Sequence, residues 1–329
     1  MSPKRVSIVI PTFNRRERLA RVLASLERQT AAPDVFEVVV VDDGSSDGTS
    51  EWLPSHRTAF SLVPLRVPNG GPAKARNAGV AAAQGDVVLF IDDDVEASPE
   101  LVDEHLRSHD ADADVVVIGP LASLSHYPQP WVAWEQAKIE AQYAAMARGD
   151  WAPTFRQFWT GNASLERRHL LAAGGFDTTY LRGEDVELGA RLDERGIGFR
   201  FNPRAKVVHH AERSLASWER AHASYGRLEV AIFGRAGDRA LIETLSGNWN
   251  RLNPATRWVV QSCLGRKQRG DAVKALLRAH IKLAERTPLT LGAGKACSVL
   301  ANLWYWEHSV EALGPERAAQ VLGGRRVQP

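Results

Sequence analysis

Residues 87–95 have the sequence Val87-Val88-Leu89-Phe90-Ile91-Asp92-Asp93-Asp94-Val95. Five consecutive apolar residues are too few for a typical helix and are typical of a strand buried on both faces. Three carboxylates follow where the chain must leave the sheet, and such close like charges are unfavourable unless a cation neutralises them. Ligands of open parallel sheets bind just outside the carboxyl ends of strands. The stretch therefore predicts a site for a divalent cation, with a solvated acidic turn as the alternative.

The segments around this stretch alternate between strand and helix patterns, which predicts an α/β fold with a doubly wound, mostly parallel sheet flanked by helices. Asn14 with Glu17 predicts a capped helix start, and Ser98 before Pro99 predicts another. Residues 119–159 are aromatic and show no regular pattern, whereas the chain beyond about residue 215 has helical spacing throughout. We expect a catalytic domain over residues 1–215 and a helical C-terminal region over residues 216–329. The further predicted strands are 6–10, 36–41, 62–67, 115–118, 199–201 and 206–208, and the further helices 72–83, 166–172 and 184–194.

The composition limits the class of protein. The chain has 329 residues, of which 44% are hydrophobic and 24% charged, as in soluble globular proteins. A net charge of +2 gives no reason to expect a nucleic-acid partner. The two cysteines, Cys263 and Cys297, offer neither a disulfide framework nor metal-ligand spacing, which favours a reducing, cytoplasmic compartment. Residues 289–306 are apolar but interrupted by Lys295 and Asn302, so we expect a soluble helix there.

Two further acidic groups occur at comparable places along the chain. Asp42-Asp43 follows the second predicted strand, and Glu184-Asp185 opens a predicted helix after Gly183. Each has an ordinary structural explanation. The first pair suits a turn, and acidic residues in a first helical turn are favoured by the helix dipole alone.

The ordered set of motifs nevertheless resembles glycosyltransferase family 2 over roughly residues 5–215. The set comprises the entry Pro11-Thr12-Phe13, the pair Asp42-Asp43, the segment 71–77, the acidic triplet and Glu184-Asp185. This resemblance implies a GT-A fold and transfer of a sugar from a nucleoside-diphosphate donor, a UDP-sugar first, to an acceptor hydroxyl. The acceptor would be a sugar, a lipid-linked molecule or a small molecule.

The resemblance also implies roles for individual residues in donor binding. Phe13 would stack on the base, and Asp42 or Asp43 would accept hydrogen bonds from the base or the ribose. Arg76 is preferred over Lys74 as the cation facing the diphosphate, since Arg binds phosphate in fork geometry. The expected donor-binding residues are Pro11, Thr12, Phe13, Asp42, Asp43, Lys74, Arg76, Asn77, Asp92 and Asp93.

The acidic triplet resembles the family's DxD motif, with Asp92 and Asp94 in its defining positions. Alternation along an extended stretch would send both to one side and Asp93 to the other. Asp94 is our first choice for direct contact with Mn²⁺ or Mg²⁺, and Asp92 for a ribose or metal-water contact. His209 is the expected third ligand, with a weak preference over His210.

Gly183-Glu184-Asp185 resembles the family's ED motif, and this resemblance makes Asp185 the expected general base of an inverting, single-displacement reaction, with Glu184 beside it. The resemblance places the sugar and acceptor pocket at Trp159, Gly161 and Asn162.

Three alternatives remain open at this stage. Residues 90–95 also resemble the first motif of haloacid-dehalogenase-type phosphatases, with Asp92 as nucleophile and Asp94 as acid, although two or three strands precede the motif here. A non-catalytic module that only binds a nucleotide sugar is another. Finally, nine Lys or Arg residues lie between residues 251 and 286. They indicate either a solvated helix face or an anionic partner, such as a phosphorylated acceptor, a polyprenyl-diphosphate lipid or the inner membrane surface.

Overall fold

The computed structural model describes residues 5–124, 126–180, 182–286 and 292–324. The strands are β1 (Val6–Thr12), β2 (Phe36–Asp42), β3 (Ser61–Arg66), β4 (Val87–Ile91), β5 (Val95–Ala97), β6 (Val115–Ile118), β7 (Leu121–Ser123), β8 (Asn162–Glu166), β9 (Gly198–Phe201) and β10 (Val207–His209). The α-helices are α1 (Arg16–Leu26), α2 (Thr49–Trp52), α3 (Pro72–Ala82), α4 (Leu101–Ala111), α5 (Pro130–Arg148), α6 (Arg167–Ala172), α7 (Glu184–Asp193), α8 (Leu215–Arg235), α9 (Asp238–Asn250), α10 (Pro254–Cys263), α11 (Lys267–Arg286) and α12 (Ala293–Val321).

The main sheet of the described residues has seven strands in the order β3-β2-β1-β4-β8-β6-β9. Only β8 runs antiparallel to its neighbours β4 and β6, so the prediction of a mostly parallel α/β sheet is confirmed. The register pairs Thr12 with Asp42 and Val9 with Phe90. Because β1, β2 and β4 are parallel, their carboxyl ends meet at one edge of the sheet. A smaller sheet has the order β5-β10-β7.

The sheet is covered by apolar side chains on both faces. All five residues of β4 are buried, as expected for a strand with helices on each side. Leu89 packs with residues of α1 and α4 in one buried cluster, and Phe90 packs with α3 and α7 in the other. Burial of each large apolar side chain stabilises the fold by roughly 1.5–3 kcal/mol. The packing on both faces therefore fixes the position of the sheet edge that carries the acidic groups.

The chain divides into two compact units, one of residues 1–125 and 139–211 and the other of residues 126–138 and 212–329. The second unit is helical and has its own core around Leu241, Trp249, Leu303 and Trp306. The predicted boundary at residue 215 does not anticipate that residues 126–138 group with the C-terminal helices. Both cysteines are buried free thiols. Among the helices that the structure describes, none combines the length and apolar character needed to cross a membrane.

Helix α5 was not predicted, because residues 119–159 were expected to be irregular. Its buried positions recur at helical spacing and include a glutamine, Gln136, between Val132 and Tyr143. Trp131 lies outside this stripe although it is also buried, and Trp134 is half-buried on another side of the helix. A polar residue on the stripe and aromatic residues beside it hide the helical period.

Two predicted helix starts were wrong. Helix α1 begins at Arg16, not at an Asn14 cap: Asn14 has a left-handed φ of 53°, and Asp47 accepts the hydrogen bond from the Arg16 N–H. Helix α4 begins at Leu101, so Ser98 and Pro99 precede it.

Candidate active site

The carboxyl ends of β1, β2 and β4 bring the predicted acidic residues to one edge of the sheet. Asp93 is the most buried member of the triplet, with only 4% of its surface exposed. It accepts hydrogen bonds from the Thr12 hydroxyl, at 2.8 Å, and from Arg15 Nη1, at 2.7 Å. Burial raises the pKa of the Asp93 carboxyl, and the Arg15 guanidinium opposes this effect. Thr12 therefore positions Asp93 and does not present its hydroxyl to the cleft.

Asp94 is the carboxylate of the triplet whose negative charge is least compensated. Burial and repulsion from Asp92 raise its pKa to about 6, although Arg15 and Arg18 lie 3.2 and 3.9 Å from its oxygen. The expected alternation along an extended stretch does not apply, because the chain turns at residues 93 and 94 and Arg15 reaches both of them. A buried carboxylate with an elevated pKa is a site that a divalent cation would favour.

Arg76 joins the triplet to the second acidic pair. Its Nη2 donates to Asp92 Oδ1 at 2.8 Å and its Nη1 donates to Glu184 Oε1 at 2.7 Å. The side chain is 5% exposed and lies 5.9 Å from the centre of the Phe176 ring. Two motifs more than 90 residues apart in sequence thus share one guanidinium, so they belong to a single site.

Asp185 lies in the first turn of α7, after Gly183 with its positive φ of 74°. Burial and the neighbouring Glu184 charge raise the pKa of Asp185 to about 7, and Arg76 acts in the opposite direction. The backbone N–H of Thr160 donates to Oδ2 at 3.4 Å. A carboxylate that titrates near neutral pH is suited to accept a proton from an alcohol.

The donor groups around Asp94 fit a divalent cation. His209 Nε2 lies 3.6 Å from Asp94 Oδ1, while His210 faces Glu96 at 2.9 Å. Two ligands of one ion, each about 2.1 Å from it, are separated by roughly 3.0–3.6 Å. Over the described ranges, no three His, Cys, Asp or Glu side chains form a metal cluster by themselves. This suits ions that are held by one or two carboxylates together with substrate phosphates.

The residues at the carboxyl end of β2 form the predicted nucleotide end of the site. Asp42 accepts hydrogen bonds from the Ser45 N–H, at 2.8 Å, and from the Ser50 hydroxyl. Asp43 accepts from the N–H groups of Gly70 and Gly71 at 2.8 and 2.9 Å. Both carboxylates are buried and hold the loops in place.

The remaining donor-binding candidates differ in how open they are to solvent. Phe13 is 46% exposed, which leaves its ring face open to a base. Pro11 is half-buried at the end of β1, and Lys74 is exposed beside Gly70.

Two predicted binding residues point into the protein. The Asn77 amide donates to the Phe176 carbonyl and accepts from the Phe176 N–H, both at 2.8 Å. The Asn162 amide is 1% exposed and donates to the carbonyls of Pro120 and Ala205. We therefore interpret both amides as structural and not as contacts to the donor or the acceptor.

The other predicted pocket residues are closer to the acidic groups. A Cβ atom added to Gly161 would lie 3.2 Å from Asp92 Oδ2, so this glycine keeps the space beside the triplet open. Trp159 is half-buried against the core.

Sequence reasoning missed Arg15 and Arg18. Their only signal was the basic spacing at the start of the helix after β1, and that spacing is common on solvated helix surfaces. It also missed His105, whose ring nitrogens lie 2.7 Å from Ser164 Oγ and 3.0 Å from Asn162 Oδ1.

Replacing Arg76 by methionine is expected to lower the free energy of unfolding by about 3–5 kcal/mol, because it leaves the buried carboxylates of Asp92 and Glu184 without their shared cation. Chemical denaturation measures this change. Lys74→Met on the same helix is the matched control, since Lys74 is exposed. Equal stability of the two variants would show that Arg76 does not hold the acidic groups together.

Comparison with protein families gives a match to the model "Glycosyl transferase family 2" over residues 7–170. Validoxylamine A glucosyltransferase of Streptomyces hygroscopicus subsp. limoneus is 34% identical over 220 residues, covering 58% of this chain and 48% of the relative. Pre-mycofactocin glycosyltransferase of Mycobacterium tuberculosis is 31% identical over 256 residues, covering 75% of this chain and 51% of the relative. The chain thus spans about half the length of these curated relatives.

Solved structures show the same fold at low sequence identity. The mannosyltransferase PcManGT of Pyrobaculum calidifontis, solved in complex with GDP-Man and Mn²⁺, superposes with a TM-score of 0.59 at 18% identity, covering 96% of this chain and 90% of that one. Residues 1–349 of TarS from S. aureus, solved with UDP-GlcNAc, give a TM-score of 0.56 at 18% identity, covering 93% of this chain and 91% of that one.

Proposed function

Because this chain belongs to glycosyltransferase family 2, we propose that it transfers a sugar from a nucleoside-diphosphate donor to an acceptor hydroxyl, with inversion at the anomeric carbon and with a divalent cation. The observation that carries this proposal is the Arg76 bridge. Through it, the carboxylates suited to a cation and the carboxylate suited to a base occupy one site.

In the proposed reaction Asp185 accepts the proton of the acceptor hydroxyl as the hydroxyl oxygen attacks the anomeric carbon of the donor sugar. The new carbon–oxygen bond forms while the bond from that carbon to the diphosphate breaks, and the nucleoside diphosphate leaves. No covalent enzyme intermediate is needed. Burial and, after it, repulsion from Glu184 keep the pKa of Asp185 high, and Arg76 fixes Glu184, so Arg76 and Glu184 act as positioning residues.

We propose Mn²⁺ or Mg²⁺ as the cation, held by Asp94 and His209 with Asp92 beside them. Such an ion, when bound, offsets the charge that develops on the departing diphosphate. The Mn²⁺ in the mannosyltransferase neighbour supports this choice.

For the donor we propose a UDP-sugar first. Phe13 offers the exposed ring for the base, the loops held by Asp42 and Asp43 surround the ribose, and Lys74 faces the diphosphate. The two structural neighbours were solved with UDP-GlcNAc and GDP-Man, so a GDP-sugar is the second donor to test.

Two relatives are named for the compounds validoxylamine A and pre-mycofactocin, which favours a small-molecule or sugar hydroxyl over a lipid-linked acceptor.

A nucleotide-release assay with a panel of UDP- and GDP-sugars tests the function. We expect release of UDP or GDP in the presence of Mn²⁺, no release with chelator, and recovery when Mn²⁺ is returned. Release of inorganic phosphate from phosphate esters would instead indicate the phosphatase alternative. Tight donor binding without transfer or donor hydrolysis would indicate a non-catalytic module.

The pH dependence of transfer is a further expectation. Because the base must be deprotonated and the pKa of Asp185 is raised to about 7, kcat/KM should fall about tenfold per pH unit as the pH drops below 7. Asp94, whose pKa is raised to about 6, adds a second loss below that pH. Excess Mn²⁺ should reduce the loss of kcat/KM that protonation of Asp94 causes. It should not change the loss that protonation of Asp185 causes below pH 7. A profile that is flat from pH 6 to 8 would contradict the assignment of Asp185.

We also propose that the enzyme works in the cytoplasm and contacts the inner face of the membrane through its basic region, residues 251–286.

A further inference from the structure

Helix α11 carries cations of two kinds. Lys274 and Arg278 are turned inward and paired, Lys274 with Glu307 at 2.6 Å and Arg278 with Glu219 at 2.6 Å. The other four are Lys267, Arg269, Lys282 and Arg286. These four are exposed, and no carboxylate in the part of the chain that the structure describes lies within salt-bridge distance of them. Only this second set can attract an external anion.

Two large apolar side chains lie on the outward side of the same helix. Leu276 is 72% exposed and Leu283 is 60% exposed, whereas Ile281 and Ala284 on the opposite side are buried. Positions seven apart lie nearly in line along a helix, so Arg269, Leu276 and Leu283 form one row. Ala272 and Ala279 lie between them and are exposed.

The neighbouring helix α10 adds an aromatic side chain. Trp258 is 66% exposed, on the side opposite the buried Val260. Single exposed apolar side chains are normal, but two exposed leucines on the same helix face as unpaired cations are typical of interaction surfaces.

We infer that the outward face of α11 (Arg269, Ala272, Leu276, Ala279, Lys282, Leu283 and Arg286) docks on the surface of an anionic lipid bilayer. This refines the membrane contact proposed above and does not depend on glycosyl transfer. An amphipathic helix lies in the interface with its apolar residues in the acyl boundary and its cations at the headgroups. The face has both components.

Two other occupants fit the face less well. A second copy meeting it across a two-fold axis would bring the same cations together, because an isologous contact apposes identical patches. A nucleic acid would satisfy the cations but would leave Leu276 and Leu283 without apolar contact. Asp271 lies 3.6 Å from the inward Lys274, and at 3.6 residues per turn Glu285 lies roughly 160–180° around the helix from Leu276 and Leu283.

The test is co-sedimentation of the full chain with vesicles of equal parts phosphatidylglycerol and phosphatidylcholine, and with vesicles of phosphatidylcholine alone. We expect binding to the first only, weakened by added salt. The triple variant Arg269→Gln, Lys282→Gln, Arg286→Gln should lower the partition coefficient roughly 100-fold, at about fivefold per charge. The double variant Leu276→Ser, Leu283→Ser should lower it at least about tenfold.

Leu171→Ser is the matched control, since Leu171 is 53% exposed on α6 in the other unit, and it should bind like the unaltered protein. Nucleotide release without vesicles should be unchanged in all three variants, which separates this inference from the proposed catalysis.

The inference is overturned if the unaltered protein does not bind vesicles that contain phosphatidylglycerol, or if the α11 variants bind them as well as the unaltered protein does. It is equally overturned if the α11 cations prove to bind RNA instead of vesicles. A dimer that the leucine variant dissociates, in the absence of vesicle binding, would assign the face to a second copy.

Discussion

Replacing Asp185 by asparagine is expected to reduce sugar transfer by about 10²–10⁴-fold, the usual contribution of a positioned general base. Asparagine has nearly the shape of the aspartate but a single acceptor oxygen, so it can keep one of the two hydrogen bonds that Asp185 accepts from the N–H groups of Thr160 and Val186. It cannot take a proton from an alcohol at neutral pH. The loss should therefore fall on kcat, because the donor is held by other residues.

Steady-state nucleotide release, with donor affinity measured separately by calorimetry, checks this expectation. Asp193→Asn is the matched control, since Asp193 is an exposed carboxylate at the other end of α7. The control should keep both transfer and donor affinity. If Asp185→Asn transfers at the normal rate, the base is a different residue. If it loses donor affinity in proportion to activity, Asp185 is a binding residue.

Replacing Asp94 by asparagine is expected to weaken Mn²⁺ binding by at least about 100-fold, because changes to groups that merely support a metal ligand already cost roughly 10–100-fold. The substitution removes the buried charge that, in our proposal, the cation offsets. It should also reduce transfer, and raising the Mn²⁺ concentration should restore part of the activity. Titration with Mn²⁺ in the presence of nucleoside diphosphate, followed by electron paramagnetic resonance, measures the affinity.

The two adjacent histidines provide a matched pair for the same measurement. His209→Gln should weaken Mn²⁺ binding, since His209 lies 3.6 Å from Asp94. His210→Gln should not, since His210 faces Glu96. Equal effects of the two substitutions, or an unchanged affinity in Asp94→Asn, would place the cation elsewhere.

Much of the fold could be predicted because its signals are local. The apolar run of β4 and the proline at the start of α3 are legible in a short window, and the topology rule for parallel sheets then places the acidic residues at one edge. Helix α5 was missed because Gln136 interrupts its buried stripe, so the pattern in that window differs from that of an ordinary amphipathic helix.

The direction of individual side chains at the site was harder to predict. Asn77 was expected to face the nucleotide, but its hydrogen-bonding partner is the backbone of Phe176, 99 residues later. Asn162 likewise bonds carbonyls of distant segments. Such partners depend on tertiary placement and leave no trace in the neighbouring sequence.

Arg76 shows the same difficulty with charges. The sequence identified it as a cation for the diphosphate, whereas in the structure its guanidinium is engaged by two carboxylates. A planar guanidinium binds carboxylate and phosphate groups equally well, so residue type alone could not distinguish a structural role from a diphosphate-binding role. The diphosphate contact then passes in our proposal to Lys74 and the cation.

The most direct test of the shared site is the position of Mn²⁺ in a crystal of the protein soaked with Mn²⁺ and UDP, located by anomalous scattering. We expect the ion beside Asp94 and His209, in contact with the diphosphate, with the Asp185 carboxylate on the side where the sugar would lie. An ion bound away from Asp94, or a diphosphate bound at a different edge of the sheet from Asp185, would contradict a common site.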